Sequence, residues 1–216
     1  KSGGLIHLCM YIHLGATREM VMEKARPWAK KTIDEIGRAA AKVMPDPDFY
    51  TLLGGFLAWT TVLFAYYDYN LVASLMIPVS AFVDALDGSV ARLTRGSTRL
   101  GEFLDSVVDR LSDTAYFLTL YLLGLPAIGV VIGIGLAVTI SYVRAKGELV
   151  GVEMRGVGLM ERGDRIATIF VLALLASIHK IRLATILLWL MIALMAFTVV
   201  ERSVKVAKSL KSLEAD

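Results

Sequence analysis

Five aspartates stand in the stretch "SAFVDALDGSVARLTRGSTRLGEFLDSVVDRLSD", residues 80–113, in or beside apolar runs. Asp84 and Asp87 are three apart and Asp105 and Asp109 four apart, so on helices each pair shares one face. Gly101 lies one turn before Asp105 and opens space on that stripe. The connection between the pairs is short and basic, which makes their helices antiparallel neighbours and lets four carboxylates converge. Each would cost roughly 2.5–3.5 kcal/mol at mid-membrane, and repulsion adds to that. Arg92, Arg95 and Arg99 are not placed to pair with all four. Oxygen-only ligands suit hard divalent ions, Mg²⁺ or Mn²⁺, and a two-ion centre bridged by carboxylates suits phosphoryl transfer. The histidines, His7, His13 and His179, lie far off in sequence, so a proton acceptor here is a carboxylate. The competing reading is a set of structural polar contacts or an ion path, but charges along a pore would be spread in depth rather than bunched at one end.

The elements around the aspartates are those of a membrane protein. Of 216 residues 56% are hydrophobic, and the mean hydropathy is +0.62. Six apolar segments predict transmembrane helices over 50–67, 71–93, 103–123, 125–145, 165–179 and 183–200. Basic residues collect before the first, between the second and third, between the fourth and fifth, and after the sixth. The positive-inside rule therefore puts both termini and the aspartate loop in the cytoplasm of a multi-pass cell-membrane protein. Residues 22–43 read as an amphipathic helix in the interface, with a soluble helix packed on the cytoplasmic side as the alternative. The expected organisation is an unassigned segment 1–21, the interfacial helix 22–43, a membrane domain 44–210 and a tail 211–216. Gly129 and Gly133, four apart, mark either a seam within the bundle or a dimer contact. The net charge of +3 is explained by anionic lipid without nucleic acid. The single cysteine, Cys9, excludes an intrachain disulfide.

"DALDGSVARLTRGSTRLGEFLDSVVD" reads D-x2-D-G-x2-A-R-x8-G-x3-D-x3-D, with Asp84, Asp87, Gly88, Ala91, Arg92, Gly101, Asp105 and Asp109 at the fixed positions. It resembles the signature of the CDP-alcohol phosphotransferases, and six spans behind an interfacial helix are similar to that family's architecture over residues 22–210. The resemblance implies that Asp84, Asp87, Asp105 and Asp109 hold two Mg²⁺ or Mn²⁺ ions, with Asp109 also taking the proton from the attacking hydroxyl. It further implies that Gly88, Ala91 and Gly101 belong to the donor site, that Arg92 and Thr98 hold the donor's phosphates, and that Asp48 and Thr51 meet its cytidine side. An N-cap role for Asp48 suits "PDPDF" as well. Asp113 reads as a salt-bridge partner, to Arg110 for instance, rather than a fifth ligand.

"SYVRAKGE", "MERGDRI" and "VVERSVKV" put Arg144, Arg165 and Arg202 near the same mouth. Within the family this set resembles the phosphatidylinositol-phosphate and archaetidylinositol-phosphate synthases, which implies that the three grip the phosphate of inositol phosphate. Three convergent cations would cradle a phosphorylated alcohol on physical grounds too, although positive-inside anchoring also places arginines there. One departure is arginine rather than lysine at Arg144. The expected partners are CDP-diacylglycerol or CDP-archaeol, a phosphorylated alcohol, membrane lipid and a second copy in a homodimer. Rival readings are the same chemistry on glycerol 3-phosphate or serine, prenyl transfer, and divalent-cation transport.

Overall fold

The structure, a computed structural model, describes residues 35–94, 96 and 98–213. The expectations for 1–21, most of 22–43, Arg95 and 214–216 lie outside the described residues. Every regular element described is a helix: α1 over 35–43, α2 (Pro47–Tyr66), α3 (Asn70–Leu93), α4 (Arg99–Leu122), α5 (Ala127–Leu149), α6 (Arg162–Ser177) and α7 (Ile181–Leu213). They fall into two compact units, one of residues up to Pro47 with Leu86–Ser97, the other of Asp48–Ala85 with Thr98 onward. In the first unit Gly37 of α1 lies against Ser89 so closely that a β-carbon there would collide with its side chain.

Among the described residues four helices, α2, α3, α5 and α7, are long and apolar enough to cross a membrane. Two of the six expected spans do not qualify, for different reasons. α4 carries Glu102, Asp105, Asp109, Arg110 and Asp113, and α6 has 16 residues, about 24 Å of helix against a hydrocarbon core of about 30 Å. Phe56, Leu63, Val131, Ile186 and Leu190 present large exposed side chains, a surface that lipid solvates and water does not. The chain is an all-α, multi-pass membrane protein. α7 continues beyond the expected end at 200 to Leu213, because polar residues end an apolar run without ending a helix; no Gly or Pro interrupts "ERSVKVAKSLKSL".

The second unit buries Phe117, Leu120, Ile140, Ile169, Leu172, Leu188, Met191 and Met195 at its centre. α5 and α6 each pack on α4 and α7. Gly129 faces Leu188 and Gly133 faces the Phe117 ring, with no room for a β-carbon at either, so these glycines form a seam inside the bundle. Buried hydroxyls are matched internally, as a low-dielectric surrounding demands: Thr61 to Thr119 at 2.7 Å, Ser74 to Ser177 at 2.7 Å and Ser80 to Tyr116 at 2.8 Å.

Candidate active site

Thr98 caps α4 in extended conformation, its hydroxyl accepting from the Gly101 amide at 3.0 Å. A β-carbon on Gly101 would sit 2.8 Å from Asp48 Oδ1, so the glycine is what admits Asp48 to the start of α4. Three of the residues expected at the donor are thereby gathered. Thr51 is buried one turn along α2. Asp48 lies in the first turn of α2, which begins at Pro47, so it is not the N-cap; proline suits the first helical position because its missing N–H is not needed there.

Gly54 sets the place of Asp84. A β-carbon at Gly54 would lie 2.7 Å from Asp84 Cβ and 2.9 Å from its Cα and N, so α2 and α3 touch backbone to backbone at this point. Ser80, one turn earlier on α3, donates to the Gly54 carbonyl at 2.8 Å. Asp84 is buried, and one carboxylate oxygen from each of Asp84, Asp105 and Asp109 lies within 4.8 Å of the other two. Asp84 Oδ1 is buried with no hydrogen-bond partner among the described residues. Three carboxylates, oxygen donors only, and a buried acceptor left unsatisfied fit a hard divalent ion. Asp87, Gly88, Ala91 and Arg92 fall in the first unit; there the Gly88 amide donates to Asp87 Oδ1, and the Arg92 guanidinium lies 3.6 Å from where a Gly88 β-carbon would be.

Sequence reasoning missed Arg162. Its Nη1 donates to Asp84 Oδ2 at 2.7 Å and stands 2.7 Å from Asp109 Oδ1, while Nε is 3.9 Å from Asp113 Oδ1. The sequence reading weighs only Arg92, Arg95 and Arg99 as partners for the carboxylates; the cation at Asp84 and Asp109 comes instead from the start of α6. It arrives through the 150–161 connection. Gly158, at φ +106°, packs so closely on Thr198 that a side chain is excluded. Thr198 Oγ1 accepts from the Met160 amide at 3.1 Å, and the Glu161 amide donates to Asp164 at 3.1 Å to start α6. Arg162 and Arg165 then share one face, three apart. "MERGDRI" contained that spacing.

Arg165 is fully buried and donates to Asp113 Oδ2 at 2.6 Å. Asp113 therefore pairs with α6, not with Arg110, which lies 4.0 Å from Asp109. Arg202 is buried as well, its guanidinium donating to the carbonyls of Val157 at 2.9 Å and Ile140 at 3.0 Å. Arg144 is exposed and pairs with Glu148 at 3.0 Å. All three expected phosphate-binding arginines line one polar cleft of about 280 Å³, together with Arg162, Asp105 and Asp109. Carboxylates fit for a cation thus open directly onto a polar cleft whose lining also holds Arg110, Glu148 and Glu161.

A membrane-embedded helical bundle with such a centre defines a class of enzyme that handles phosphates at a lipid surface. The model of the CDP-alcohol phosphatidyltransferases matches residues 44–200. An archaetidylinositol phosphate synthase of Aeropyrum pernix is 40% identical over 172 residues, 79% of this chain and 88% of that protein. Among solved structures, a phosphatidylinositol phosphate synthase of Mycobacterium tuberculosis with CDP-DAG bound superposes with a TM-score of 0.71 at 26% identity, covering 82% of this chain and 94% of that one. The same mycobacterial enzyme, in complex with manganese and citrate, gives a TM-score of 0.70 at 26% identity, over 81% of this chain and 88% of that one. This chain belongs to the CDP-alcohol phosphatidyltransferase family, and it is a transferase of phospholipid synthesis.

Proposed function

We propose that the protein transfers a phosphatidyl or archaetidyl group from a CDP-lipid to inositol phosphate, releasing CMP. The observation that carries the acceptor assignment is the single cleft in which Arg144, Arg165 and Arg202 stand beside Asp105 and Asp109. These guanidinium groups offer a phosphate charge-assisted hydrogen bonds that a neutral alcohol would not use. The acceptor's phosphate lies among these arginines, which orients its free hydroxyl toward Asp109. Asp109 accepts the hydroxyl proton, the oxygen bonds to the lipid-side phosphorus, and the bond to CMP breaks. Asp84, Asp105 and Asp109, with Asp87 one turn after Asp84 on α3, would hold two Mg²⁺ or Mn²⁺ ions. Such a centre, when bound, supplies positive charge to the transferring phosphoryl group. Asp48, Thr51 and Thr98, with Gly88, Ala91, Arg92 and Gly101, hold the nucleotide and its phosphates. The mycobacterial relative, solved with CDP-DAG and with manganese, supports the donor and metal readings.

In this reading α2 to α7 all cross the membrane. α4 is tolerated in lipid because Asp105 and Asp109 face the site and Asp113 pairs with Arg165, and short α6 because its arginines start it at the cytoplasmic mouth. The membrane domain spans 44–210 behind an interfacial helix, with the site and both termini in the cytoplasm, and the enzyme works as a homodimer. The test is incubation of purified protein with CDP-archaeol or CDP-diacylglycerol and each of inositol 1-phosphate, glycerol 3-phosphate, serine and inositol, followed by mass spectrometry of the lipids. A lipid carrying inositol phosphate is expected. Turnover confined to glycerol 3-phosphate or serine would refute the acceptor, and Mg²⁺ flux without CMP would refute the enzyme reading.

A further inference from the structure

Arg162 stands where a metal ion would. One nitrogen, Nη1, is 2.7 Å from an oxygen of Asp84 and 2.7 Å from an oxygen of Asp109. A hard divalent ion bonded to the same two oxygens at about 2.0–2.6 Å would fill the same space, and like charge forbids sharing it. Apart from these carboxylates the guanidinium has only the 3.9 Å approach of Nε to Asp113 Oδ1; Nε and Nη2 are buried with no hydrogen-bond partner among the described residues. The side chain also lines the cleft of Arg144, Arg165 and Arg202, so the hollow beside it is open to a displaced guanidinium. We infer that Arg162 is an exchangeable internal cation: it neutralises Asp84 and Asp109 when no divalent ion is bound, and on metal binding it swings into the cleft and joins the grip on the acceptor's phosphate. Metal and acceptor then bind with positive coupling, carried by one side chain, and by linkage each tightens the other.

The inference rests on the metal reading above, and the test separates the two. Mn²⁺ affinity of the detergent-solubilised protein is measured by the electron paramagnetic resonance of free Mn²⁺, and inositol 1-phosphate affinity by calorimetry with and without Mn²⁺. A positioning or purely structural arginine would weaken metal binding when removed; a competing cation does the opposite. Arg162→Gln is expected to tighten Mn²⁺ about tenfold, the scale of one charge-assisted hydrogen bond lost to competition, and to shrink the Mn²⁺-induced gain in inositol 1-phosphate affinity. Arg162→Lys, which keeps the charge but not the fork, is expected to tighten Mn²⁺ by a smaller factor and serves if the glutamine variant does not fold. Gly135→Ala, where a β-carbon meets nothing within 4 Å, should leave Mn²⁺ affinity within about twofold. Mn²⁺ affinity unchanged or weakened in both Arg162 variants would overturn the exchange while leaving the metal reading intact. Wild-type Mn²⁺ affinity in Asp84→Asn would overturn the metal reading, and the exchange with it.

Discussion

Gly54→Ala adds one methyl group at the point where α2 meets α3, and its consequence is calculable. The new carbon would lie 2.7 Å from Asp84 Cβ and 2.9 Å from its Cα and N. Carbon atoms rest at about 3.5–4.0 Å, so relieving the 2.7 Å contact with Asp84 Cβ parts the helices by about 0.8–1.3 Å. The obstacle is backbone, which no rotamer change removes. Overpacking of this kind costs about 1–3 kcal/mol of stability. The larger effect is on chemistry, because Asp84 moves with α3 while Asp105 and Asp109 stay on α4. Metal–ligand distances tolerate about 0.2 Å, and a misplacement of about 1 Å costs on the order of a hundredfold in rate. Gly54→Ala is therefore expected to lower CMP release about a hundredfold and to weaken Mn²⁺, with a melting temperature only modestly reduced. Gly135→Ala is the control, since a β-carbon there meets nothing within 4 Å. CMP assay, Mn²⁺ titration and thermal denaturation in detergent read the three quantities. Wild-type turnover and Mn²⁺ affinity in Gly54→Ala would refute the claim that this contact sets the site.

Further outcomes follow from the same geometry. Arg144→Ala removes only an exposed pair with Glu148, worth less than about 1 kcal/mol, so stability should hold while KM for inositol 1-phosphate rises about tenfold; an unchanged KM would take Arg144 out of the cradle. Asp113→Ala strands the buried Arg165 guanidinium and should cost about 3–5 kcal/mol, much of it recovered in Asp113→Ala/Arg165→Met, as chemical denaturation would show. Thr98→Ala removes the cap of α4 and should cost about 1 kcal/mol, with KM for the CDP-lipid raised; stability loss with an unaltered donor KM would make Thr98 a cap only.

The aspartates were legible because the helical period alone decides which side chains share a face, and apolar runs bracketed both helices. Asp84 and Asp109 could thus be brought together on paper. The arginines of the cleft were legible as three charged motifs. Arg162 was not, because its reach to α3 and α4 depends on the 150–161 connection folding onto α7 at Gly158 and Met160, contacts between residues nearly forty apart. Gly54 also escaped notice: a glycine in an apolar helix looks like any small residue until the neighbouring backbone is seen. Hydropathy located all six helices near their observed places. It misjudged their ends wherever polarity rather than backbone chemistry marked the boundary, as at Leu213.

The most direct test of the site is CMP release from a CDP-lipid, with inositol 1-phosphate as acceptor, measured against added Mn²⁺ in the wild-type protein and in Asp84→Asn. Metal-dependent release from the wild type, abolished by chelator, and a loss of at least about a thousandfold in the variant are expected. Equal release by both proteins, or release indifferent to chelation, would contradict a divalent centre built on Asp84, Asp105 and Asp109.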